Sequence, residues 1–519
     1  MTETVNGKSS EPKAAIELRG ITKKFGAVVA NNNIDLSVRR GEILALLGEN
    51  GSGKTTLMNM LSGIYHPDSG SVFIDGNRVV INSPEDAKKL GIGMIHQHFK
   101  LVEVLTAADN IAMGADERSL FLTRKRFEKT SEICKKYGLN VDMEKYVYNM
   151  SVSEKQSLEI AKVLYYGARI LILDEPTAVL TPQETKHLFE ILRSMRDQGC
   201  AIIIITHKLN EVLEISDRVT ILRKGESVAT VETKNTNATE LTELMVGRKV
   251  SLEIERPKVK VGANLLHVHH LTIESCDGVE VISNVSFDLS EGEILGVAGI
   301  AGSGQKELCE AIAGLHPIKK GAILYKDENI ERKTPRELIQ LGISMSFIPE
   351  DRLGMGLAAS LDITDNMMLK NYSQNGRTPF VDRKTAADTA GRVVDSLEIV
   401  TPSINTPVRR LSGGNVQKVL LGREIEANPK VLITAYPVRG LDINSSYTIY
   451  NQLNKQKQNG AGILFIGEDL DVMLELCDRI MVLCQGRVSG IVKASETTKE
   501  QLGLMMTQVS ESEVEKNAG

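Results

Sequence analysis

The amino-acid sequence predicts an α/β protein of two tandem domains that share one fold. Two closely matching segments begin at Asn33 and at Asn284, an offset of 251 residues. Within each copy, short aliphatic strands such as "ILALL" alternate with helical segments, which is typical of a mixed or largely parallel sheet flanked by helices. At 519 residues, the chain is long enough for two such hydrophobic cores.

A second pair of matching segments sets the limits of the repeat. "MSVSEKQSLEIAKVL" from Met150 corresponds to "LSGGNVQKVLLGREI" from Leu411, an offset of 261 residues, so the second copy has gained ten residues around "IPEDRLGMG". The charged stretch "LEIERPKVKVG" has no helical period and contains a proline, which indicates a linker. We expect a disordered tail over 1–14, domain 1 over 15–250, the linker over 251–262, domain 2 over 263–508 and a second disordered tail over 509–519.

The segment "DERSLFLTRKRFEKTSEICKKYG", residues 116–138, has the character of a helix and interrupts the predicted strands. We therefore expect a small helical subdomain inserted into each sheet core.

Composition excludes several classes of protein. The net charge of −5 gives no reason to expect a nucleic-acid surface. The aliphatic runs are strand-sized, far below the ~18 apolar residues of a membrane span. The N-terminus "MTETVNGKSSEPK" is polar and has no secretory signal pattern. We expect the chain to remain in the cytoplasm, with its cysteines reduced.

A glycine-rich motif in the first copy carries the chemistry of phosphate binding. "GENGSGKT" fits G-x-x-x-x-G-K-[ST] and lies between a predicted strand and a predicted helix. The glycines let backbone N–H groups wrap phosphates, the lysine reaches the β- and γ-phosphates, and the threonine hydroxyl ligates Mg²⁺. The predicted nucleotide-binding residues are Gly48, Glu49, Asn50, Gly51, Ser52, Gly53, Lys54, Thr55 and Thr56.

Two adjacent carboxylates end a buried strand of the same copy. They are Asp174 and Glu175 in "LILDEP". Asp174 is placed to hold Mg²⁺, and Glu175 to polarise the attacking water as a general base. An acidic pair alone more often caps a helix, but a P-loop in the same domain favours hydrolysis.

Together these motifs resemble those of the ATP-binding subunits of ABC transporters. The resemblance covers nearly the whole chain, twice, and implies two tandem ABC-type P-loop ATPase domains. It also implies roles for three further residues of the first copy. Gln97 in "GMIHQHF" would contact the metal and the membrane partner, His207 in "IIIITHKLNEV" would be the switch histidine, and Phe25 in "TKKFGAV" would stack on adenine.

By the same correspondence, the second copy lacks the hydrolytic side chains. Its phosphate loop retains glycines at 299, 302 and 304, but hydrolysis would lack its metal ligand, base and switch. The corresponding residues are Cys276 for Phe25, Gln305 for Lys54, approximately Glu350 for Gln97, Ala435 and Tyr436 for Asp174 and Glu175, and Glu468 for His207.

The family's signature, L-S-G-G-Q, is better preserved in the second copy. It reads "LSGGN" there and "MSVSE" in the first copy, and the loop after the paired carboxylates ends in Asp442 rather than Thr181. In the family, cassettes pair head-to-tail, so that ATP lies between one P-loop and the opposite signature. The resemblance therefore implies one hydrolytic and one degenerate site, the former completed by Ser412, Gly413, Gly414, Asn415 and Asp442.

The chain resembles the double-cassette carbohydrate-uptake group of this family, which imports ribose, galactose and related sugars. "TAYPVRGLD" and "IHQHFKLVEVLTAADNI" are closer to its nucleoside-importing branch, although Tyr436 and Ser153 depart from that branch. The resemblance implies an ATPase that uses ATP and Mg²⁺ to energise import of nucleosides or simple sugars. Two permease subunits and a substrate-binding protein would be separate chains, and this chain would lie at the cytoplasmic face of the membrane.

Two alternatives remain at this point. A soluble twin-cassette ATPase could act on ribosomes or nucleic acid, but it would be expected to keep both glutamates and a long basic linker. A regulatory ATP-binding module without turnover is the other alternative.

Overall fold

The computed structural model describes residues 14–26, 28–96, 99–113, 124–249, 253–275, 277–300, 302–347, 356–369 and 382–507. It forms two compact units, 1–251 and 252–519. The first strand begins at Ala14, which the sequence had assigned to the N-terminal tail.

The first unit contains two sheets. A six-stranded sheet has the order β10-β9-β3-β8-β7-β6, with β10 antiparallel to its neighbour and the other pairings parallel. A four-stranded antiparallel sheet has the order β2-β1-β4-β5. The strands are β1 Ala14–Phe25, β2 Val28–Arg39, β3 Ile43–Leu47, β4 Ser69–Ile74, β5 Asn77–Val79, β6 Ile92–Ile95, β7 Ile170–Asp174, β8 Ala201–Ile205, β9 Arg218–Arg223 and β10 Glu226–Glu232.

The central strands are almost entirely aliphatic because both faces of their sheet are covered. Every residue of β3 and of β8 is buried. The carboxyl ends of β3, β7 and β8 lie side by side, since these strands are parallel neighbours. This edge therefore collects the loops that carry the predicted site residues.

An inserted helical subdomain is present, as predicted. Three helices, α3 to α5, lie between β6 and β7, and the described part of the predicted 116–138 helix is α4. The helices of this unit are α1 Lys54–Leu61, α2 Pro84–Lys89, α3 Ala107–Ala112, α4 Arg124–Tyr137, α5 Val152–Tyr165, α6 Pro182–Asp197, α7 Leu209–Ile215 and α8 Ala238–Val246.

The second unit repeats this architecture. Its sheets have the orders β12-β11-β14-β15 and β16-β17-β18-β13-β19-β20. The strands are β11 Asn264–Glu274, β12 Glu280–Ser290, β13 Ile294–Gly299, β14 Lys320–Tyr325, β15 Glu328–Asn329, β16 Ile343–Phe347, β17 Val431–Ala435, β18 Gly462–Ile466, β19 Arg479–Cys484 and β20 Arg487–Lys493. The helices are α9 Gln305–Ile312, α10 Pro335–Gln340, α11 Ile363–Met368, α12 Arg383–Ser396, α13 Gly413–Glu426, α14 Ile443–Gln458, α15 Leu470–Leu476 and α16 Lys499–Thr507.

The described part of the predicted linker, residues 253–262, contains no helix or strand and packs on the second unit. The side chain of Asn454 donates to the carbonyl of Glu255 at 2.9 Å, and Arg256 donates to the carbonyl of Cys477 at 2.7 Å. Ile254 packs against the core that contains β18 and β19. These contacts attach the segment to unit 252–519.

Within the described ranges, no helix is both long and apolar enough to span a bilayer. The cysteines described, at 134, 200, 309, 477 and 484, are buried and form no disulfide.

Candidate nucleotide site

The phosphate loop of the first unit joins β3 to α1 in a conformation that requires glycine. Gly53 caps the helix with a left-handed φ of +97°. A Cβ added to Gly53 would lie 2.4 Å from the carbonyl oxygen of Ala30, and one added to Gly48 would lie 2.3 Å from that of Leu222. Because backbone cannot yield at such distances, glycine is a steric requirement at positions 48 and 53, while Gly51, with a φ of +80°, has the left-handed backbone that favours glycine.

Lys54 lies inside this loop. Its ammonium donates to the carbonyls of Gly48 at 2.6 Å and Glu49 at 2.9 Å. Burial lowers the pKa of the Lys54 ammonium, while the charges of Glu175 and Asp174 oppose that shift. The loop thus holds the Lys54 ammonium by its own backbone carbonyls. Phosphate oxygens would replace those carbonyls as acceptors.

The paired carboxylates have different environments. Burial, then the neighbouring Glu175, raises the pKa of Asp174, against the effect of Lys54. A hydrogen bond from His207 lowers the pKa of Glu175, with Nδ1 and Oε1 3.0 Å apart. The hydrogen bond thus favours the ionised form of Glu175, whereas the ionised form of Asp174 would gain stability from a nearby cation.

The carboxylate of Asp174 and the hydroxyl of Thr55 are hard oxygen donors, the type that Mg²⁺ prefers. Since a cation would also favour ionised Asp174, these residues fit a bound Mg²⁺. Gln97, the third predicted ligand, lies outside the described residues, as do Cys276 and Glu350.

Glu175 has an unusual backbone. Its φ is +47°, and its N–H donates to the carbonyl of Ile205 at 2.9 Å. The bond joins the residue after β7 to the last residue of β8. His207 follows β8 by two residues, so the turn and the strand pairing bring Glu175 and His207 together.

Phe25 lies at the end of β1 and is 44% exposed. Its ring centroid is 5.2 Å from that of Tyr65, in an edge-to-face arrangement. An exposed aromatic ring of this kind suits stacking by a base. Tyr65 was not identified from the sequence, because it lies beyond α1 and no local pattern links it to Phe25.

The described residues of the second phosphate loop keep the glycine conformation at the start of the helix and lack the lysine. Gly304 caps α9 with a φ of +97°, as Gly53 caps α1. Gln305, buried, donates its amide to the carbonyl of Ile300 at 3.2 Å. Lys306 stands at the position of Thr55 and reaches Glu310 instead of offering a hydroxyl.

The turn after β17 repeats the Glu175 backbone with other side chains. Tyr436 has a φ of +53° and donates its N–H to the carbonyl of Ile466 at 2.8 Å. Its ring packs against the core of the sheet, and burial raises the pKa of its hydroxyl. Glu468, at the position of His207, lies 3.5 Å from Arg439. The backbone geometry is shared, and tyrosine and glutamate stand in place of Glu175 and His207.

The two signature segments differ in how they begin their helices. Ser151 caps α5 in a reciprocal capping box with Glu154, which also pairs with Lys145 at 2.8 Å. Ser412 caps α13 without accepting from a backbone N–H of the helix, and its hydroxyl accepts from the side-chain amide of Asn415 at 2.9 Å. The helix start of the second unit therefore has glycine backbone N–H groups in place of a capping box.

Asp442 is the N-cap of α14 and accepts from the backbone N–H of Ser445 at 2.8 Å. Thr181 caps α6 in the equivalent position. Both residues have a structural role in capping, besides the role in nucleotide binding that the resemblance implies for Asp442.

Two glutamines, one in each unit, were not identified from the sequence. Each connects the helix of the signature segment to the loop that follows β7 or β17. Gln156 donates to the carbonyl of Pro176 at 2.9 Å, and Gln417 donates to that of Pro437 at 2.5 Å. Both side chains are buried. The offset of 261 residues made them detectable as a matched pair.

A glycine-rich phosphate loop beside paired carboxylates, on a parallel sheet with an inserted helical subdomain, defines a P-loop ATPase domain, and the chain contains this fold twice. The family described as ABC transporter matches residues 31–178 and 282–437. The chain belongs to the ABC transporter family. It is an ATPase of that family, with domains that bind ATP, as predicted.

Three curated relatives match nearly the whole chain. The guanosine import ATP-binding protein NupO of Bacillus subtilis is 41% identical over 97% of this chain and 99% of its own length. The nucleoside import ATP-binding protein NupA of Lactococcus lactis is 39% identical over 95% and 98%. The ribose import ATP-binding protein RbsA 1 of Rubrobacter xylanophilus is 39% identical over 96% and 99%. The resemblance to this double-cassette group is confirmed.

Among solved structures, an archaeal ribosome recycling factor, aABCE1, aligns with a TM-score of 0.59 at 17% identity, over 92% of this chain and 90% of its own. At that identity the likeness concerns the fold alone.

Proposed function

We propose that this chain supplies the ATP hydrolysis that drives nucleoside import, and that it hydrolyses ATP at one of two nucleotide sites. The observation that carries the proposal is the difference between two turns of equal backbone geometry. Glu175, after β7, is hydrogen-bonded to His207. Tyr436 and Glu468 occupy the equivalent positions of the second unit. An ionised carboxylate beside a histidine can act as a general base, whereas a partly buried tyrosine with a raised pKa is not suited to that role.

In the proposed hydrolytic site, the first unit holds the phosphates. The backbone N–H groups of residues 48–56 would surround them, and the ammonium of Lys54 would exchange its loop carbonyls for phosphate oxygens. Thr55 and Asp174 would hold Mg²⁺, which neutralises phosphate charge when bound. Gln97 would complete that ligand set by family resemblance. Glu175 would take the proton of the attacking water. The hydrogen bond from His207 favours the ionised form of Glu175.

The signature of the second cassette would complete this site. Ser412 supplies a hydroxyl, and Gly413 and Gly414 supply backbone N–H groups at the start of α13. In the first cassette, Ser151 and Glu154 satisfy each other, and Ser153 adds a side chain. By family resemblance, we propose that the second signature, with Asn415 and Asp442, pairs with the first P-loop.

The second phosphate loop would form a degenerate site. Gln305 provides an amide where the first loop has an ammonium, and Lys306 replaces the metal-binding hydroxyl. With Ala435 in place of Asp174, neither carboxylate of the first copy remains there. We propose that this site does not hydrolyse ATP.

The relatives' names support our proposal for the transported solute and the partners. Two of the relatives are named for import of guanosine and of nucleosides, which favours nucleosides, and others for import of ribose and galactose. We propose two permease subunits and a substrate-binding protein as separate chains, with this chain at the cytoplasmic face of the membrane. The ribosome-acting alternative has only a likeness of fold in its favour.

Uptake of labelled solutes tests this function. A strain lacking the gene should lose uptake of uridine or adenosine, and the native gene should restore it. The matched control is the Glu175→Gln variant at equal expression, which should not restore uptake. Loss of ribose uptake with intact nucleoside uptake would refute the choice of solute. Stimulation of the ATPase by ribosomes, but not by permeases, would refute transport altogether.

A further inference from the structure

The ring of Phe25 lies in a small cluster of charged and aromatic side chains. Tyr65 packs edge-to-face with it at 5.2 Å between centroids. The ammonium of Lys23 lies 5.5 Å from the centroid of the Phe25 ring. Edge-to-face pairs and cation–π contacts both fix the orientation of a ring, and each is favourable. The orientation of Phe25 is thus set by two neighbours, while nearly half of its surface is exposed.

Asp68 holds Lys23 in this cluster through an ion pair. Its carboxylate pairs with Lys23 at 3.0 Å and accepts from the backbone N–H of Lys24 at 2.6 Å. These bonds, led by the one from the Lys24 backbone, lower the pKa of Asp68. The side chain of Lys23 is only 15% exposed, so the ammonium is held beside the ring. Strand β1 is therefore pinned immediately before Phe25.

Tyr65 is itself connected to the phosphate-binding helix. The carbonyl of Asn59, in α1, accepts from the backbone N–H groups of Ile64 at 2.9 Å and Tyr65 at 3.1 Å. Helix α1 begins at Lys54. The ring pair of Phe25 and Tyr65 is consequently connected to the phosphate loop through helix α1.

From this geometry we infer that Tyr65 and Lys23 are positioning residues for the adenine of ATP, acting through the ring of Phe25. The inference rests on the proposed function and on the stacking of Phe25 on the base that the family resemblance implies. The cluster determines where the base lies relative to the phosphates bound at Lys54. The two side chains then contribute to affinity for a nucleotide with a base, and not to affinity for the triphosphate alone.

The second unit keeps the backbone of this feature and changes its chemistry. His316, at the position of Tyr65, bonds the carbonyl of Pro317 through Nδ1 at 3.0 Å. The ion pair is reversed, since Glu274 and Lys319 stand at the positions of Lys23 and Asp68. His316 is therefore a matched control for Tyr65.

The test compares ATP with ribose 5′-triphosphate, which has no base, by calorimetric titration of the full chain. Tyr65→Leu should weaken ATP binding about three- to tenfold, the scale of one aromatic pair, and leave ribose triphosphate binding unchanged. Tyr65→Phe keeps the ring and should bind ATP like the native chain, as should His316→Leu. In turnover assays, Tyr65→Leu should raise KM for ATP with little change in kcat.

A double change, Tyr65→Leu with Phe25→Leu, should bind ATP no more weakly than Phe25→Leu alone, because both act on one contact. Equal loss of affinity for ATP and ribose triphosphate, or no loss in Tyr65→Leu while Phe25→Leu is impaired, would overturn the inference and leave the proposed function intact. Native affinity in Phe25→Leu would refute base stacking by Phe25, and the inference with it.

Discussion

The substitution Glu175→Gln removes the proposed general base and preserves the shape of the side chain. The backbone bond from Glu175 to Ile205 is retained, and glutamine meets the same left-handed φ as glutamate. The change therefore acts on the carboxylate alone. We expect ATP binding to persist, since Lys54 and the loop are untouched.

The expected loss of turnover is much larger than any loss of stability. A positioned general base contributes about 10²- to 10⁴-fold in rate. At about 1.36 kcal/mol per tenfold, that corresponds to about 3–5 kcal/mol of barrier. The bond to His207 is worth less, because the histidine side chain is 61% exposed and such pairs contribute about 0–1 kcal/mol. A change of that size moves Tm by only about 2–4 °C in a domain of this length.

Phosphate release by the full chain at saturating ATP measures this prediction, with calorimetric titration to verify binding. The matched control is Tyr436→Phe, which keeps the ring that packs on the core and should retain turnover within a few-fold. If Tyr436→Phe lowered turnover as much as Glu175→Gln, or if Glu175→Gln kept more than about a tenth of native turnover, the assignment of one hydrolytic site would be wrong.

Three further predictions concern the same site. Lys54→Ala should abolish productive Mg-ATP binding at the first phosphate loop in calorimetric titration, because the phosphate charge loses the loop ammonium; native affinity at that loop would refute that role. Gly414→Asp should reduce phosphate release about 10²-fold or more, the scale for a lost transition-state donor, while Ser153→Asp changes little; equal sensitivity would mean that both signatures serve hydrolysis. His207→Ala should move the acidic limb of the pH–rate profile to higher pH, because the lost hydrogen bond lets the pKa of Glu175 rise; an unmoved limb would exclude that coupling.

The parts of the site that follow from local chemistry could be predicted from the sequence. The P-loop carries its own steric and charge requirements, so its motif and its strand–loop–helix setting identified Lys54 and its neighbours. The buried strands β7 and β8 were recognisable as uninterrupted aliphatic runs. Their parallel pairing then brought together the residues that follow each strand.

The four-stranded antiparallel sheet was not predicted, and its register explains why. The pairing of β1 with β2 has several shifts, including one between Ile21 and Lys23. Each shift breaks the alternation of buried and exposed residues that marks a strand. Asn31, near the start of β2, is buried and donates to the carbonyl of Gly53. A buried polar residue interrupts the apolar pattern that predicts a strand. Here that residue supports the phosphate loop through its bond to Gly53.

The capping box of α5 could have been recognised. "SVSE" has the S-x-x-E spacing of that motif, and Ser151 and Glu154 form both of its bonds. Compared with the family signature, the same residues indicate only a weakened signature. In contrast, the positive φ of Glu175 leaves no trace in its residue type, because glutamate rarely adopts that conformation.

The matched turns at Glu175 and Tyr436 show what the fold maintains independently of chemistry. A non-glycine residue in the left-handed region costs on the order of 1–3 kcal/mol, and the second unit keeps this cost although it has no base to orient. The bonds from Tyr436 to Ile466 and from Gln417 to Pro437 hold the turn in place. The combined change Ala435→Asp and Tyr436→Glu would thus enter a backbone already shaped for both side chains. The second cassette therefore offers a backbone into which the side chains of the proposed hydrolytic site can be introduced one at a time. The effect of each side chain on ATP hydrolysis can then be measured separately.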